Sequence, residues 1–282
     1  MKLCRIGKIG EEKPAIIDKD NSYRDLSSII DDLNADTLNF NTLEKIEKAD
    51  ISSLPKLDAN LRIGACVSKP SKFIGIGLNF KDHAEEQNLP IPTEPIIFSK
   101  FTSCITGPND PIIVPKGSDH TDWEVELGFV IGKKAINVSV EKALDHVLGF
   151  FLVNDVSEKN FQKNKGLTWD KGKGFDTFGP IGPYIITKDE LPDFQKLDMF
   201  LDVDGKRMQT GNTEKMIFDI KTLVSYMSSC MSLHPGDICC TGTPPGVGEN
   251  MSPPKFLKGG EEVVLGIDKL GKQKHQVLPY KE

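Results

Sequence analysis

The segment that decides the fold reads Thr121-Asp122-Trp123-Glu124-Val125-Glu126-Leu127-Gly128-Phe129-Val130-Ile131-Gly132. Its β-branched and aromatic residues predict a strand, with Glu124 and Glu126 at positions i and i+2. Side chains two residues apart on a strand point to the same face, so the two carboxylates converge. Two ionised carboxylates about 4 Å apart repel by roughly 4 kcal/mol at an effective dielectric constant near 20. A bound cation would remove that penalty.

A second strand brings a third carboxylate toward the same region. The run from Gly149 to Val153 is almost wholly apolar, as in a buried strand, and Asn154-Asp155 follows it. Three hard oxygen ligands without neighbouring Cys or His favour Mg²⁺, Mn²⁺ or Ca²⁺ over zinc. The alternative is that Glu124 and Glu126 line a solvated strand face while Asp155 caps a helix beginning at Ser157. The pattern alone leaves both interpretations open.

Composition and charge describe a folded protein without a nucleic-acid partner. Hydrophobic residues make up 38% and charged residues 27% of the 282-residue chain, as is ordinary for globular proteins. The net charge of −6 argues against binding nucleic acid, because that binding draws its affinity from basic patches. The start, Met1 to Gly7, lacks the apolar core of a signal peptide, and no apolar stretch is long enough to cross a bilayer. We therefore expect a cytoplasmic protein with no membrane partner.

Cysteine spacing and one connector predict reduced thiols and two domains. The six cysteines show no Cys-x-x-Cys spacing, so neither disulfides nor a zinc cluster is expected. The segment Ile51-Ser52-Ser53-Leu54-Pro55 is typical of a connector before a denser, glycine-punctuated region. We place a small N-terminal domain at residues 1–68 and the main domain at residues 69–282.

From Lys72 onward, short apolar runs alternate with Gly, Pro and Asp turns, which predicts a mainly β fold with α+β elements. Asp204-Gly205 predicts a hairpin turn, since glycine accepts the positive φ that a tight turn needs. One helix is predicted from about Asp219, its N-cap, to Cys230, because apolar residues recur there at i, i+3, i+4 and i+7. The predicted strands lie at residues 73–77, 95–98, 124–131, 147–154, 183–187, 200–203, 237–240 and 262–267.

A candidate general base lies in the segment from Gly75 to Glu86. The segment begins like a nucleotide-binding loop but lacks the third glycine of G-x-G-x-x-G, so a dinucleotide site is rejected. Its second half predicts a helical turn with His83 and Glu86 three residues apart, where the carboxylate can orient the imidazole. The alternative is an ordinary surface pair.

Two further loops carry groups that could bind a substrate. Lys173 lies between glycines in the segment from Lys171 to Pro183, where its ammonium could hold a carboxylate or enolate oxygen. Thr241-Gly242-Thr243-Pro244 follows a predicted strand and offers hydroxyls and backbone amides to an anion. Taken alone, the first pattern would indicate a solvated lysine and the second an ordinary turn.

Taken in order, these segments resemble the fumarylacetoacetate hydrolase superfamily. The resemblance covers roughly Lys72 to Val277. Five motifs in the family's order are very hard to obtain by chance. They are Gly77-Leu78-Asn79-Phe80-x-x-His83-x-x-Glu86, Asp122-x-Glu124-x-Glu126-Leu127, Asn154-Asp155-Val156-Ser157, Lys173-Gly174-Phe175-Asp176-Thr177-Phe178-Gly179-Pro180 and Thr241-Gly242-Thr243-Pro244.

The resemblance implies a mixed β-sandwich roll with a small N-terminal segment, assembled as a homodimer. It implies Mg²⁺ held by Glu124, Glu126 and Asp155, with Mn²⁺ or Ca²⁺ as alternative ions. It also implies that His83 and Glu86 lie on a short mobile lid. The positions that face the substrate in this family are matched by Gln162, Lys173 and Thr243.

Within the superfamily, the whole-chain layout is most similar to the 2,4-diketo-3-deoxy sugar-acid hydrolases of rhamnose and fucose breakdown. Those proteins are close in sequence to members labelled ureidoglycolate lyase. The resemblance implies a metal-dependent hydrolase that cleaves a C–C bond of a 2-keto acid substrate, an acylpyruvate or a 2,4-diketo-3-deoxy sugar acid, and releases pyruvate. One departure is Lys159, which stands where the family usually has Arg. Lysine keeps the charge but loses the bidentate fork. Whether the usual Arg steadies the acidic cluster or a substrate carboxylate, the exchange implies looser binding here.

Other reactions share the first half of this path. A site that stabilises an enolate could decarboxylate oxaloacetate, tautomerise or isomerise an enol, or act as a lyase on a sugar acid. A metal-stabilised binding protein without catalytic activity is the alternative from a different class. The sequence carries no readable code for the acyl half of the substrate.

Overall fold

The computed structural model describes residues 1–166 and 168–281, and a nine-stranded mixed sheet forms its largest unit. A five-stranded sheet packs across the central strands of this sheet, which confirms the predicted mainly β sandwich. The strands are β1 (Lys2–Ile6), β2 (Lys13–Ile17), β3 (Tyr23–Asp25), β4 (Phe73–Gly77), β5 (Ile96–Lys100), β6 (Ile105–Thr106), β7 (Ile112–Ile113), β8 (Thr121–Asp122), β9 (Val125–Ile131), β10 (Val147–Asn154), β11 (Ser157–Glu158), β12 (Gly179–Pro180), β13 (Ile185–Thr187), β14 (Asp198–Val203), β15 (Lys206–Asn212), β16 (Ile238–Cys240), β17 (Glu262–Ile267) and β18 (Gly271–Leu278).

The helices are short and lie outside the sheets. The α-helices are α1 (Phe40–Glu47), α2 (Lys81–Glu86), α3 (Lys159–Lys163), α4 (Asp170–Lys173) and α5 (Ile220–Cys230). Short 3₁₀ helices lie at Ile51–Ser53, Thr102–Cys104, Val140–His146, Lys188–Glu190, Thr213–Lys215 and Gly248–Asn250. Among the described residues, no helix has the length and apolar character needed to span a membrane.

The centre of the nine-stranded sheet is formed by β9 and β10, whose residues are all buried. The strand order is β3-β2-β1-β13-β10-β9-β16-β4-β5. Both faces of these central strands are covered, which explains why their sequences are apolar runs rather than alternating patterns. Burial of a large apolar side chain such as Phe129 or Phe150 contributes about 1.5–3 kcal/mol.

The pairing directions gather the sequence motifs at one edge of this sheet. β10 is antiparallel to β9, β16 is antiparallel to β9, and β16 is parallel to β4. The carboxyl ends of β4, β10 and β16 therefore meet the amino end of β9. The motifs of His83, Asp155 and Thr243 follow these carboxyl ends, and the motif of Glu124 and Glu126 lies at the amino end of β9.

The five-stranded sheet has the order β15-β14-β17-β18-β7. Its β14–β15 hairpin turns at Asp204 and Gly205, with φ values of +51° and +72°, so the predicted turn is confirmed. The predicted helix is also confirmed as α5, and its N-cap Asp219 accepts a hydrogen bond from Thr222 N at 2.9 Å. β18 was not predicted from the sequence.

The N-terminal strands continue the large sheet rather than forming a sheet of their own. β1 pairs with β13, with Leu3 opposite Ile185, and β2 and β3 follow it outward. The domain boundary after residue 68 stays a prediction. Helix α1 lies in the region expected to hold only short strands and turns, and Asn39 caps it by accepting from Thr42 N at 3.0 Å.

Candidate active site

Three acidic side chains lie at the edge of the sheet where the motifs meet. Glu126 is on β9, Glu124 directly precedes that strand, and Asp155 follows β10. The pairing of Val125 with Asn154 brings the two strand ends together, and Asp155 N donates to Glu124 O at 2.8 Å. The exposed fractions of Glu124, Glu126 and Asp155 are 7%, 1% and 0%. The alternative interpretation of a solvated strand face is therefore wrong.

The alternative role of Asp155 as a helix cap is also wrong. Helix α3 begins at Lys159, and Glu158 caps it by accepting from Phe161 N at 2.6 Å. The carboxylate of Asp155 is bound instead by two lysines from other parts of the chain.

One of these lysines is Lys173, which joins two of the carboxylates. Its Nζ lies 2.7 Å from Glu124 Oε2 and 2.5 Å from Asp155 Oδ2. Lys173 is the last residue of α4 and is only 2% exposed, so it is not the solvated loop lysine of the alternative interpretation. Its ammonium balances charge on both acids.

The second lysine is Lys100, which the sequence patterns do not predict. Its Nζ lies 2.6 Å from Asp155 Oδ1 and 2.5 Å from the carbonyl oxygen of Lys173, and its side chain is fully buried. A single lysine at the end of a short apolar strand is typical of a solvated strand end. The structure therefore adds a residue that no motif indicated.

Lys159, predicted to bind substrate, lies against the acidic cluster formed by Glu124, Glu126 and Asp155. Its Nζ is 2.5 Å from Glu124 Oε1 and 3.9 Å from Asp122 Oδ2. Glu124 is thus bound by one ammonium group on each of its oxygens. A lysine can make both of these contacts, because each contact uses one carboxylate oxygen rather than a bidentate pair.

The acids of this cluster differ in their electrostatic surroundings. Burial favours the neutral form of Glu124, but Lys159 and Lys173 outweigh it and lower the pKa of this carboxyl. Burial raises the pKa of Glu126 well above its usual value, and the neighbouring Asp155 and Glu124 raise it further. Glu126 Oε2 accepts from Gly242 N at 2.6 Å, and no lysine in the described structure forms an ion pair with it.

The donor set fits a hard divalent cation. Ligand atoms of Glu126, Asp155 and Cys240 all lie within 4.8 Å of one another. Two oxygen ligands of one Mg²⁺, Mn²⁺ or Ca²⁺ ion lie about 2.0–2.6 Å from it, so these two carboxylates are close enough to share one. Glu124, the third predicted ligand, is not in this group, and Lys173 Nζ contacts both its Oε2 and Asp155 Oδ2. The destabilised charge of Glu126 is the feature that a cation would relieve.

His83 and Glu86 form a pair on α2, as the sequence predicts. His83 Nδ1 lies 3.0 Å from Glu86 Oε2, and His83 Nε2 lies 2.7 Å from Gln87 Nε2. Glu86 also accepts from Gly246 N at 3.1 Å and Asn250 Nδ2 at 2.9 Å. Burial opposes its ionisation, but the hydrogen bonds from His83 and Asn250 outweigh that and lower the pKa of Glu86.

These contacts indicate how the imidazole is protonated. An ionised Glu86 only accepts hydrogen bonds, so His83 Nδ1 carries the hydrogen. Nε2 of the neutral ring then accepts from the Gln87 amide. His83 is 7% exposed, which argues against the alternative of a surface pair. No sequence motif indicated a role for Gln87 or Asn250.

Gln162 and Thr243 both line the cavity at this site. Gln162 lies on α3 and is buried, and its Oε1 has no hydrogen-bond partner in the described structure. Thr243 Oγ1 donates to Val125 O at 2.9 Å and accepts from Gln209 Nε2 at 2.8 Å. Thr243 therefore fixes the loop after β16, while Gln162 offers a free acceptor.

A cavity of about 210 Å³ unites the two groups of residues. Glu124, Glu126 and His83 line it together. Glu86 and Asp155 do not line it, and they contact its lining residues His83 and Lys173. The predicted site residues that line it are His83, Glu124, Glu126, Lys159, Gln162, Lys173 and Thr243. The arrangement combines an anionic cluster, a candidate base and a free acceptor in one enclosed space.

Lys100→Met tests how much the missed lysine stabilises the fold. In metal-free protein we expect a loss of about 3–5 kcal/mol in the free energy of unfolding, because removing one partner leaves Asp155 buried with less compensation. Urea unfolding measures this loss. Lys13→Met is the control, since Lys13 pairs with Asp25 but is 57% exposed and should contribute less than about 1 kcal/mol. Equal small losses in both variants would contradict the expectation.

Comparison with known proteins finds a matching protein family and close sequence relatives. Residues 72–278 match the family described as Fumarylacetoacetate (FAA) hydrolase C-terminal. A "Putative hydrolase" of Burkholderia ambifaria (strain MC40-6) is 54% identical over 274 residues, which cover 97% of each chain.

Two solved structures share the whole fold. A "probable 2-hydroxyhepta-2,4-diene-1,7-dioate isomerase" from Mycobacterium abscessus is 29% identical with a TM-score of 0.85, covering 100% of both chains. The maleylpyruvate hydrolase from Sphingobium sp. SYK-6, solved in complex with manganese(II) ion and pyruvate, is 26% identical with a TM-score of 0.82, also covering 100% of both chains. Hydrolysis and isomerisation are thus both represented among structural relatives.

Proposed function

The chain belongs to the fumarylacetoacetate hydrolase family, and we propose that it is a metal-dependent hydrolase that cleaves a C–C bond of a 2,4-diketo acid and releases pyruvate. The substrate would be an acylpyruvate or a 2,4-diketo-3-deoxy sugar acid. The observation that carries the proposal is one cavity lined by Glu124 and Glu126 and also by His83, whose Nδ1 is bound to Glu86.

The residues proposed to hold the ion are Glu124, Glu126 and Asp155. Mg²⁺ is the proposed ion, with Mn²⁺ or Ca²⁺ as alternatives, because the carboxylates are hard oxygen ligands. When bound, such an ion supplies Lewis-acid polarisation of the 2-keto acid and stabilises negative charge. The maleylpyruvate hydrolase of known structure binds manganese, which supports the proposed donor set.

The chemical step is assigned to the chain's own side chains. His83 takes a proton from water through Nε2, while Glu86 holds the ring through Nδ1. The resulting hydroxide adds to the distal carbonyl, the adjacent C–C bond breaks, and the electron pair leaves on the pyruvate enolate. Lys173 stabilises the enolate charge, and a proton then completes pyruvate. Gln162 and Thr243 are proposed to contact the substrate.

For this step the Gln87 amide must leave His83 Nε2, since water has to take its place. We propose that the Gln87 side chain turns away from Nε2 and that the α2 segment acts as the lid of the cavity. Glu86 would keep its contacts with Gly246 and Asn250 when the lid is closed.

Isomerisation is the second candidate, because one structural relative is described as an isomerase. An isomerase would move a proton within the substrate and would consume no water. Decarboxylation of oxaloacetate, lyase activity on a sugar acid and metal-dependent binding without turnover are further alternatives for the same cavity.

Product analysis with and without metal separates these functions. Metal-stripped protein should be inactive, and Mg²⁺ or Mn²⁺ should restore pyruvate release from an acylpyruvate. The panel should include acylpyruvates, oxaloacetate and a 2,4-diketo-3-deoxy sugar acid, with products identified by mass spectrometry. Undiminished pyruvate release in a chelator would contradict metal dependence.

The other outcomes of this panel identify the alternatives. Carbon dioxide from oxaloacetate alone would assign a decarboxylase, and a product of unchanged mass would assign an isomerase. Metal binding without turnover of any substrate would favour the binding protein. We also propose a cytoplasmic homodimer, which light scattering of the purified protein and cell fractionation would test.

A further inference from the structure

The cavity has a second side that the proposed chemistry does not use. Apolar side chains form this side. They are Leu78, Leu89, Ile96, Phe98 and Trp169. A substrate whose keto-acid end lies at the acidic cluster would place its other end against them.

The aromatic part of this side begins next to the catalytic lysine. Lys173 Nζ lies 5.1 Å from the centroid of the Phe98 ring, and the Phe98 and Trp169 rings are 5.5 Å apart. Trp169 in turn covers Gly77 so closely that a methyl group there would lie 2.2 Å from its Cζ3 atom. Ile96 Cγ2 lies 3.4 Å from the same point. The wall is therefore continuous from the ammonium group to the apolar end.

The cations that line the cavity already have acidic partners. Lys159 and Lys173 bind Glu124 within 2.7 Å, and Lys163 Nζ lies 2.5 Å from Glu249 Oε2. Among the described lining residues, no further lysine or arginine is present to receive a second substrate carboxylate. A carboxylate placed against aromatic and aliphatic groups without a partner loses its hydration, which costs free energy.

The volume of the cavity also restricts the substrate. Pockets for drug-sized ligands have volumes of about 300–1,000 Å³, whereas this one measures about 210 Å³. If the keto-acid end of the substrate is bound at the acidic cluster, the remaining space can hold only a short acyl group.

We infer that the acyl half of the substrate is short, uncharged and apolar, so that acylpyruvates with a small aliphatic acyl group are preferred. This inference rests on the proposed function, because it takes the acidic cluster as the site of the keto-acid end. It selects the acylpyruvate over the polyhydroxylated sugar acid, and it excludes substrates with a second carboxylate.

A matched pair of unreactive ligands tests the inference without turnover. 2-Oxohexanoate and 2-oxoadipate have the same number of carbon atoms, but only the second has a terminal carboxylate. We expect 2-oxohexanoate to bind the Mn²⁺-loaded protein at least about tenfold more tightly in calorimetric titration. Equal binding, tighter binding of 2-oxoadipate, or binding of neither would overturn the inference.

Leu89→Arg tests the same inference by adding the missing charge. Leu89 is 46% exposed at the rim of the cavity, so arginine can be placed there without entering the core. We expect the variant to bind 2-oxoadipate about tenfold more tightly than the parent, because arginine pairs with carboxylates in a bidentate manner. Leu61→Arg is the control, since Leu61 is 43% exposed and does not line the cavity.

The binding and product experiments fail in distinguishable ways. Acylpyruvate hydrolysis together with tight binding of 2-oxoadipate would overturn the inferred acyl group and leave the proposed function in place. A tenfold preference for 2-oxohexanoate without hydrolysis of any acylpyruvate would overturn the proposed function and support the apolar acyl site.

Discussion

Metal-free protein carrying Glu126→Gln is expected to be more stable than the metal-free parent, although the same change should remove metal-dependent activity. Burial raises the pKa of Glu126 well above its usual value, and the nearby Asp155 and Glu124 add to this. The hydrogen bond from Gly242 N can be accepted equally by a glutamine oxygen. Glutamine therefore keeps the shape and removes the destabilising charge.

The direction of the pH dependence follows from this raised pKa. The folded protein binds the Glu126 proton more tightly than the unfolded chain, so stability falls as the pH rises from about 4.5 toward the folded-state pKa. At pH 8 we expect Glu126→Gln to be more stable than the parent, because folding of the parent at that pH must either bind a proton to Glu126 or bury its charge. At pH 4.5 the difference should nearly vanish.

Urea unfolding at the two pH values, in the presence of a chelator, measures this effect. Glu158→Gln is the matched control, because Glu158 is equally buried but accepts from Phe161 N and Ser118 Oγ. That variant should lose stability instead. With Mn²⁺ present, Glu126→Gln should lose at least about 10²-fold in activity, since even indirect supports of a metal cost 10–100-fold. Lower stability than the parent at pH 8 would contradict the assigned electrostatics.

His83→Ala is the second change with a large expected effect, a loss of about 10²–10⁴-fold in the rate of hydrolysis. The imidazole is held through Nδ1 by Glu86, and its Nε2 is the basic nitrogen on the cavity side. Alanine removes the proton acceptor but no proposed metal ligand. The loss should therefore appear in kcat rather than in the affinity for metal.

Steady-state kinetics and Mn²⁺ titration of the variant separate these quantities. His120→Ala serves as the control, because His120 also pairs with an acid, Asp119, but does not line the cavity. Its activity should stay within about twofold of the parent, as is usual for surface changes away from a site. If His83→Ala hydrolysed an acylpyruvate at the parental rate, another group would have to be the base.

The parts of the fold that the sequence predicts are those with a strong local pattern. β10 and β17 have the predicted bounds because their apolar runs end at polar residues. α5 is recognisable from its cap and its apolar spacing. By contrast, β18 buries Gln273 and His275 between exposed residues, so its buried face does not read as apolar. The alternation of buried and exposed residues along β18 is visible in the structure but not in the hydropathy of its sequence.

The candidate site likewise contains residues that a local sequence pattern predicts and residues that only the tertiary structure reveals. The spacing of Glu124 and Glu126 predicts a common face, and His83 and Glu86 are neighbours along one helix, so local geometry suffices for both pairs. Lys100 meets Asp155 only through the order of strands in the sheet, which no short motif encodes. The burial of Lys173 likewise depends on contacts with distant carboxylates.

The lysines around the acidic cluster have a consequence for how the protein matures. Between them, Lys100, Lys159 and Lys173 neutralise Glu124 and Asp155 within the protein itself. Small zinc domains stay unfolded until the metal arrives, because nothing else offsets their ligands. Here the chain supplies its own counterions, so it can complete folding without metal, and binding of the proposed ion would be a separate, reversible event.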